Sequence, residues 1–215
     1  MPNKLVRADA NQFAISPDGT TLAFIAVDST GSSLWAWHLG KNDSRELRGT
    51  QGAKHPFWSP DGKQIGFFAD DKMQRVPLDG GDPEVICDAP ESHGAAWGRK
   101  GVIVFAPYSK GPLYRVSAFG GSPEVTIPAV DTTRGMNAHA WPSFLPDGEH
   151  FLYIERRSEP RNLDVLPARP GPWTSYVGSI RSRRAEPLLV ANSAAMFAAP
   201  HYLVFIRDGV LVAQD

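Results

Sequence analysis

Short and nearly continuous apolar runs recur along the chain, each entered through a tight polar turn. "SPDGTTLAFIAVD" from Ser16 to Asp28 and "SPDGKQIGFFAD" from Ser59 to Asp70 are two copies of one such unit. The apolar runs "TLAFIAV", "QIGFFA", "VIVFA", "FLYIE" and "YLVFI" are rich in aromatic and β-branched residues and do not alternate with polar ones. Strands of that kind are covered on both faces. More mixed strand-like segments follow them, "SLWAWHL", "KMQRVPL", "PLYRVSA", "SYVGSI" and "GVLVAQ", and then polar or proline-bearing stretches such as "SRELRGT" and "EPLLVAN". Each unit therefore grades from apolar to polar over four strands.

The turn glycine gives a ruler. Gly19, Gly62, Gly101 and Gly148 are separated by 43, 39 and 47 residues, and His201 stands where a fifth would be. Four positions before each ruler residue stands a large apolar side chain: Ile15, Trp58, Trp97, Phe144 and Phe197. A second register agrees, since "RVPLDGGDPEVI" from Arg75 and "RVSAFGGSPEVT" from Arg115 share seven of twelve residues at a spacing of 40. The turn itself has a local cause. Serine suits the first position of a type I turn, proline pre-sets φ at the second, and glycine suits the fourth.

A four-stranded antiparallel sheet repeated every 40 or so residues is the sequence pattern of a β-propeller blade. No window longer than ten residues sustains a helical period, which argues against stacked helix pairs. The expectation is an all-β propeller with four complete blades, near 11–50, 51–90, 91–130 and 138–191, and a partial fifth at 194–215. Residues 1–10 form a tail or a closing strand. A fifth unit that stops after "GVLVAQD" reads as part of a larger propeller of six or more blades, with open sheet edges that invite self-association. The alternative is closure at five blades, with Asn3–Ala8 supplying the missing outer strand.

Composition adds limits. The 215 residues are 42% hydrophobic and 21% charged, ordinary for a globular chain. A net charge of -1 provides no overall attraction to nucleic acid. The single cysteine, Cys87, excludes an internal disulfide or a multi-cysteine zinc site, and it is expected to be buried. No signal peptide or membrane-spanning run is visible, so the chain reads as soluble as written.

The tandem "SPDG" units resemble the WD-repeat-like propeller of TolB-type domains. The series "FWSPDGKQIGFFAD … LDGG … GPLYRVSAFGG … WPSFLPDGEHFLYI … YLVFIRDG" resembles more specifically the C-terminal propeller of bacterial membrane-anchored serine/threonine protein kinases. That resemblance implies a sensor or protein-interaction domain of a signalling protein, placed outside the cytoplasmic membrane. The chain carries no glycine-rich phosphate loop, "HRD" or "DFG", so no phosphoryl transfer is assigned to it. There is no "GxSxG" elbow or "HExxH" pair either, and no cofactor or metal is expected.

Candidate ligand-binding residues fall in two groups. His55, His93 and His139 each precede an innermost strand, at offsets of 7, 8 and 9 from the ruler glycine. Gathered at one rim they would suit ligand binding, or the acid/base or metal site of a propeller lyase or hydrolase. Arg156, Arg157 and Trp173 flank a proline-bearing insertion in the fourth unit. Arg156 to Arg184 holds seven arginines against two acids, which suits an anionic peptide or ligand at the propeller mouth. Trp35 and Trp37 share one strand face and are expected to pack between blades.

Overall fold

The computed structural model describes residues 5–6, 12–29, 31–41, 43–129, 137–157 and 173–215. Every regular element among them is a strand, and the strands form five antiparallel sheets that follow one another in chain order. The described residues thus form five blades of a β-propeller.

Blade 1 holds β1 (Leu5–Val6), β2 (Phe13–Ile15), β3 (Thr21–Asp28), β4 (Gly31–His38) and β5 (Asp43–Glu46). Blade 2 is β6 (Lys54–Trp58), β7 (Gln64–Ala69), β8 (Lys72–Pro77) and β9 (Glu84–Asp88). Blade 3 is β10 (Ala95–Trp97), β11 (Val102–Phe105), β12 (Leu113–Ser117) and β13 (Glu124–Ile127). Blade 4 is β14 (Asn137–Phe144), β15 (His150–Arg157), β16 (Trp173–Ser179) and β17 (Ala185–Ala191). Blade 5 is β18 (Met196–Ala198), β19 (Tyr202–Arg207) and β20 (Val210–Gln214).

The strand numbers differ from four complete blades and a partial fifth, because the first sheet has five strands and the last has three. The difference comes from β1. Leu5 pairs with Val27 and Val6 with Ala26, along the same edge of β3 that β2 occupies further on. The segment expected as an outer strand for blade 5 therefore extends blade 1. A two-residue strand carries too little pattern to select its own edge.

First strands face the axis. Those of blades 1 to 4 touch in succession, β2 against β6, β6 against β10 and β10 against β14. Trp58, a large apolar residue ahead of the ruler glycine, donates its indole N–H to the Ala14 carbonyl one blade away, at 3.0 Å. The buried cores lie between neighbouring blades, which is why the second strands are apolar on both faces. Ile25 and Leu34 meet Ile65 and Phe67 between blades 1 and 2. Phe57 and Phe68 meet Ile103 and Phe105 between blades 2 and 3. Val104 and Leu113 meet Phe151 and Tyr153 between blades 3 and 4, and Leu152 meets Phe205 between blades 4 and 5. Phe67, Phe105 and Phe151 are fully buried. Each contributes roughly 2–3 kcal/mol from apolar burial.

Cys87 is buried in the core between blades 2 and 3, and burial, followed by the neighbouring Asp88, pushes its thiol up to about 11. Trp35 and Trp37 occupy the face of β4 opposite Leu34, which is the residue that packs on blade 2. Trp35 instead lies against Phe24 of its own sheet, with ring centroids 6.5 Å apart.

Candidate functional site at the loop-bearing mouth

Strands alternate in direction, so each blade divides its connections between two mouths. The "SPDG" turns and the hairpins joining third to fourth strands lie at one. The starts of the first strands, the links between blades and the hairpins joining second to third strands lie at the other. His55, His93, His139, Arg156 and Trp173 all belong to this second mouth, because each sits at the start of a first or third strand or the end of a second one.

The first strands enter this mouth through a distorted backbone. The residue seven positions before the ruler glycine is His55 in blade 2, Gly94 in blade 3 and Trp141 in blade 4, with φ of 47°, 94° and 55°. In blades 2 and 4 the pairing register slips there, between Lys54 and Phe57 and between Ala140 and Ser143. A bulge of this kind re-aims a side chain, and left-handed backbone at non-glycine residues is uncommon enough to mark a site.

Trp141 ties the three blades together. Its amide donates to the His93 carbonyl at 2.8 Å, and its ring lies over Gly94, where a β-carbon would come within 2.5 Å of Cε3. His55 meets the indole edge-on with centroids 5.1 Å apart, and His93 does so at 6.4 Å. His55 Nδ1 shares a short hydrogen bond with the Ser92 hydroxyl. His93 Nε2 stands 3.8 Å from the Glu91 carboxylate, which also accepts the Ser109 amide.

The electrostatics keep both imidazoles neutral at ordinary pH. Burial, then the nearby His93, then Lys54, lower His55 to about 4. His93 is lowered by burial and by Arg156, against a smaller opposing effect of Glu91. Arg156, on β15 opposite Ala138, is thus close enough to act on the charge of His93.

His139 is placed differently. It is 1% exposed, its ring packs on Tyr153 with centroids 4.9 Å apart, and neither ring nitrogen has a hydrogen-bond partner among the described residues. Burial lowers its pKa, and Glu155, its cross-strand neighbour, opposes that shift. The three histidines therefore do not converge: His55 and His93 meet at Trp141, whereas His139 sits inside the blade interface. Among the described residues no three histidine, cysteine, aspartate or glutamate side chains are placed to hold a metal ion.

The arginine excess is not one patch. Glu155 pairs with Thr174, so Arg156 and Trp173 are the next residues along β15 and β16 at the loop-bearing mouth. β16 then carries the chain across the blade, leaving Arg181, Arg183 and Arg184 at the turn mouth. There Arg181 and Lys100 pair with Glu149 at 3.1 and 3.3 Å. Arg157 pairs with Asn137 in the backbone ladder, while its side chain and insertion residues 158–172 lie outside the described residues. Composition alone did not reveal Ser92 and Trp141. Aligning all units seven positions ahead of the ruler glycine would have exposed Trp141.

No family model and no curated protein matches the chain. Solved structures do. A protein assigned as TolB from Agrobacterium tumefaciens is 18% identical with a TM-score of 0.67, covering 86% of this chain and 69% of its own. TolB from Acinetobacter baumannii is 15% identical with a TM-score of 0.70, covering 95% of this chain and 51% of its own. The Cps50 (Swd1) propeller domain of Myceliophteria thermophila is 16% identical with a TM-score of 0.63, covering 100% of this chain and 66% of its own. The chain thus spans between half and about two thirds of the length of these propellers. Propellers of enzymes, an oligogalacturonate lyase from Vibrio parahaemolyticus and an acylaminoacyl peptidase from Pyrococcus horikoshii, share the fold as well. These likenesses show the β-propeller fold, and a fold of this kind hosts many functions. No helix among the described residues is long and apolar enough to cross a membrane.

Proposed function

We propose that this chain is a non-catalytic propeller that binds a protein partner at its loop-bearing mouth. By the kinase-like series in its sequence, it would act as the sensor or interaction part of a bacterial signalling protein outside the cytoplasmic membrane. One observation carries the reading. Three consecutive blades break their repeat at the same position, with His55, Gly94 and Trp141, and the result is a cluster of ring side chains at one mouth. Such departures on a rigid scaffold are where propellers and other repeat folds place recognition. The TolB and Swd1 likenesses support an interaction domain through the fold they share.

The rival, a lyase or hydrolase, draws on the His55–Ser92 contact. It is weakened by the burial of His139 in the interface and by the lack of a three-ligand group among the described residues. Photo-cross-linking tests the interaction reading. A reactive residue at exposed Tyr108, in the loop beside Glu91 and Ser109, is expected to capture a partner, whereas one at Val85 on the outer strand β9 captures none. Capture from Tyr108 should be lost in Trp141→Ala. Equal capture from both positions, or capture indifferent to Trp141, overturns the assignment.

A further inference from the structure

We propose that the cluster around Trp141 is a carboxylate site that takes an acidic segment of a protein partner and binds a proton together with it. This rests on reading the loop-bearing mouth as the binding face. The groups come from three blades: His55 from blade 2, Ser92 and His93 from blade 3, and Arg156 from blade 4. All are hydrogen-bond donors suited to a carboxylate, and a guanidinium beside an imidazole is a strong form of that recognition. Trp141 adds a flat apolar surface on which the methylenes of a glutamate side chain can lie.

The charges facing the cluster favour an anion. Blade 2 contributes Lys54, blade 3 contributes Lys110 and Glu91 beside His93, and blade 4 contributes Arg156 with Glu155 and the buried His139. Of the acids, Glu91 stands 3.8 Å from His93 Nε2 with its carboxylate engaged by the Ser109 amide and its side chain 51% exposed. A proton on His55 is opposed by burial, by His93 and by Lys54, and one on His93 by burial and by Arg156 against a smaller favourable effect of Glu91. A carboxylate seated among these groups removes that opposition. Protonation and binding then help each other, because each stabilises the form the other needs.

The linkage sets the sign of the pH effect. Burial holds both imidazoles below the ordinary 6.5, with His55 at about 4. A glutamate carboxylate stays ionised until about pH 4.3. Affinity therefore rises as pH falls from 7.5 to 5.5, by about tenfold where proton uptake climbs from near zero to near one across that span.

The test is calorimetric titration of the whole chain with a peptide of alternating glutamate and glycine, at pH 7.5 and 5.5, against the glutamine–glycine analogue. Expected are about tenfold tighter binding at pH 5.5, no binding of the analogue, and net proton uptake revealed by buffers of different ionisation enthalpy. Arg156→Gln and His93→Gln should each weaken binding about tenfold, while Arg183→Gln with Arg184→Gln leaves it unchanged. The wild-type proton uptake is read without any variant, so a misfolded substitution cannot shelter the idea. Absence of binding at both pH values, equal binding of the analogue, pH-independent binding, or loss only in the Arg183/Arg184 variant overturns the carboxylate site. Should the peptide fail while Trp141→Ala still abolishes cross-linking from Tyr108, the mouth remains the binding face and only the carboxylate chemistry falls. Failure of both removes the binding face as well.

Discussion

At the turn mouth, the Ser16 and Ser59 hydroxyls each accept the amide of the residue five positions on, Thr21 or Gln64, at 2.9 Å. Each also donates to the aspartate two positions on, at 2.5 and 2.6 Å. At the opposite mouth the position equivalent in blades 2, 3 and 4 holds His55, Gly94 and Trp141, three unrelated residues sharing one left-handed backbone. The contrast separates two uses of side chains. Those repeated from blade to blade satisfy their own turn and are consumed by it. Those that change from blade to blade at a common backbone position are free to address something outside the chain.

The sharpest way to break this contrast is at Gly94. A β-carbon there would meet the Trp141 ring at 2.5 Å and its Cα at 3.1 Å, on a backbone with φ of 94°. Gly94→Ala should lower the unfolding free energy by about 2–3 kcal/mol in urea titration. It should also displace Trp141, seen as a shift in tryptophan emission. A stable variant with unchanged emission would mean that Trp141 does not rest on Gly94.

Acid distinguishes the mouths by pH window. His55, His93 and His139 all have folded pKa values below the ordinary 6.5, so the unfolded chain binds protons first as pH falls. Their contribution is complete above 6.5 and is lost as pH drops toward 4, on the order of 3 kcal/mol from His55 alone, with His93 and His139 adding to it. The turn-mouth aspartates have the same sign in a lower window. Asp18 and Asp61 are held below 3.8 by serine hydroxyls and backbone amides. Burial alone would raise Asp147, yet the Glu149 and His150 amides and the His150 ring bring it to about 2. Their contribution is present above 3.8 and disappears only below it. Urea midpoints from pH 7 to 2.5 should show both windows, with His55→Gln flattening the upper and Asp147→Asn the lower. A flat profile between pH 7 and 4 would contradict the buried, neutral histidines.

Ser59→Ala leaves the Gln64 amide without its hydroxyl partner and should cost about 1 kcal/mol, with no change at the loop-bearing mouth. Thermal unfolding together with peptide titration checks both halves. The smallest effect is expected at Lys100→Ala, which removes a partly exposed pair with Glu149 at 3.3 Å. Such a pair contributes less than about 0.5 kcal/mol, and a larger change in urea unfolding would show that the turn-mouth ion pairs cooperate.

Much of the fold was legible because its signals are local. The "SPDG" turn closes on its own side chains, and a second strand covered on both faces announces itself by composition. The site was only half legible. His55 and His93 stood out as histidines ahead of first strands, but Ser92 is an ordinary loop serine until the His55 ring reaches it from the next blade. His139 was grouped with them at an offset of 9 instead of 7 or 8, and ahead of the register slip after Ala140 it lies buried against Tyr153. Counting arginines from Arg156 to Arg184 grouped charges that β16 carries to opposite mouths. A count along the chain does not register a strand that crosses the blade.

By itself the sequence determined that this protein is built from repeated four-stranded units, where their turns fall and which strands are covered on both faces. Those features depend on strand periodicity and turn chemistry within a dozen residues. The tertiary structure decided the partner of β1, the meeting of His55, His93 and Trp141, and the isolation of His139. Each of these is a contact between strands or blades whose register depends on a bulge or on the docking of one sheet against the next. The energy that selects it arises only when the blades come together.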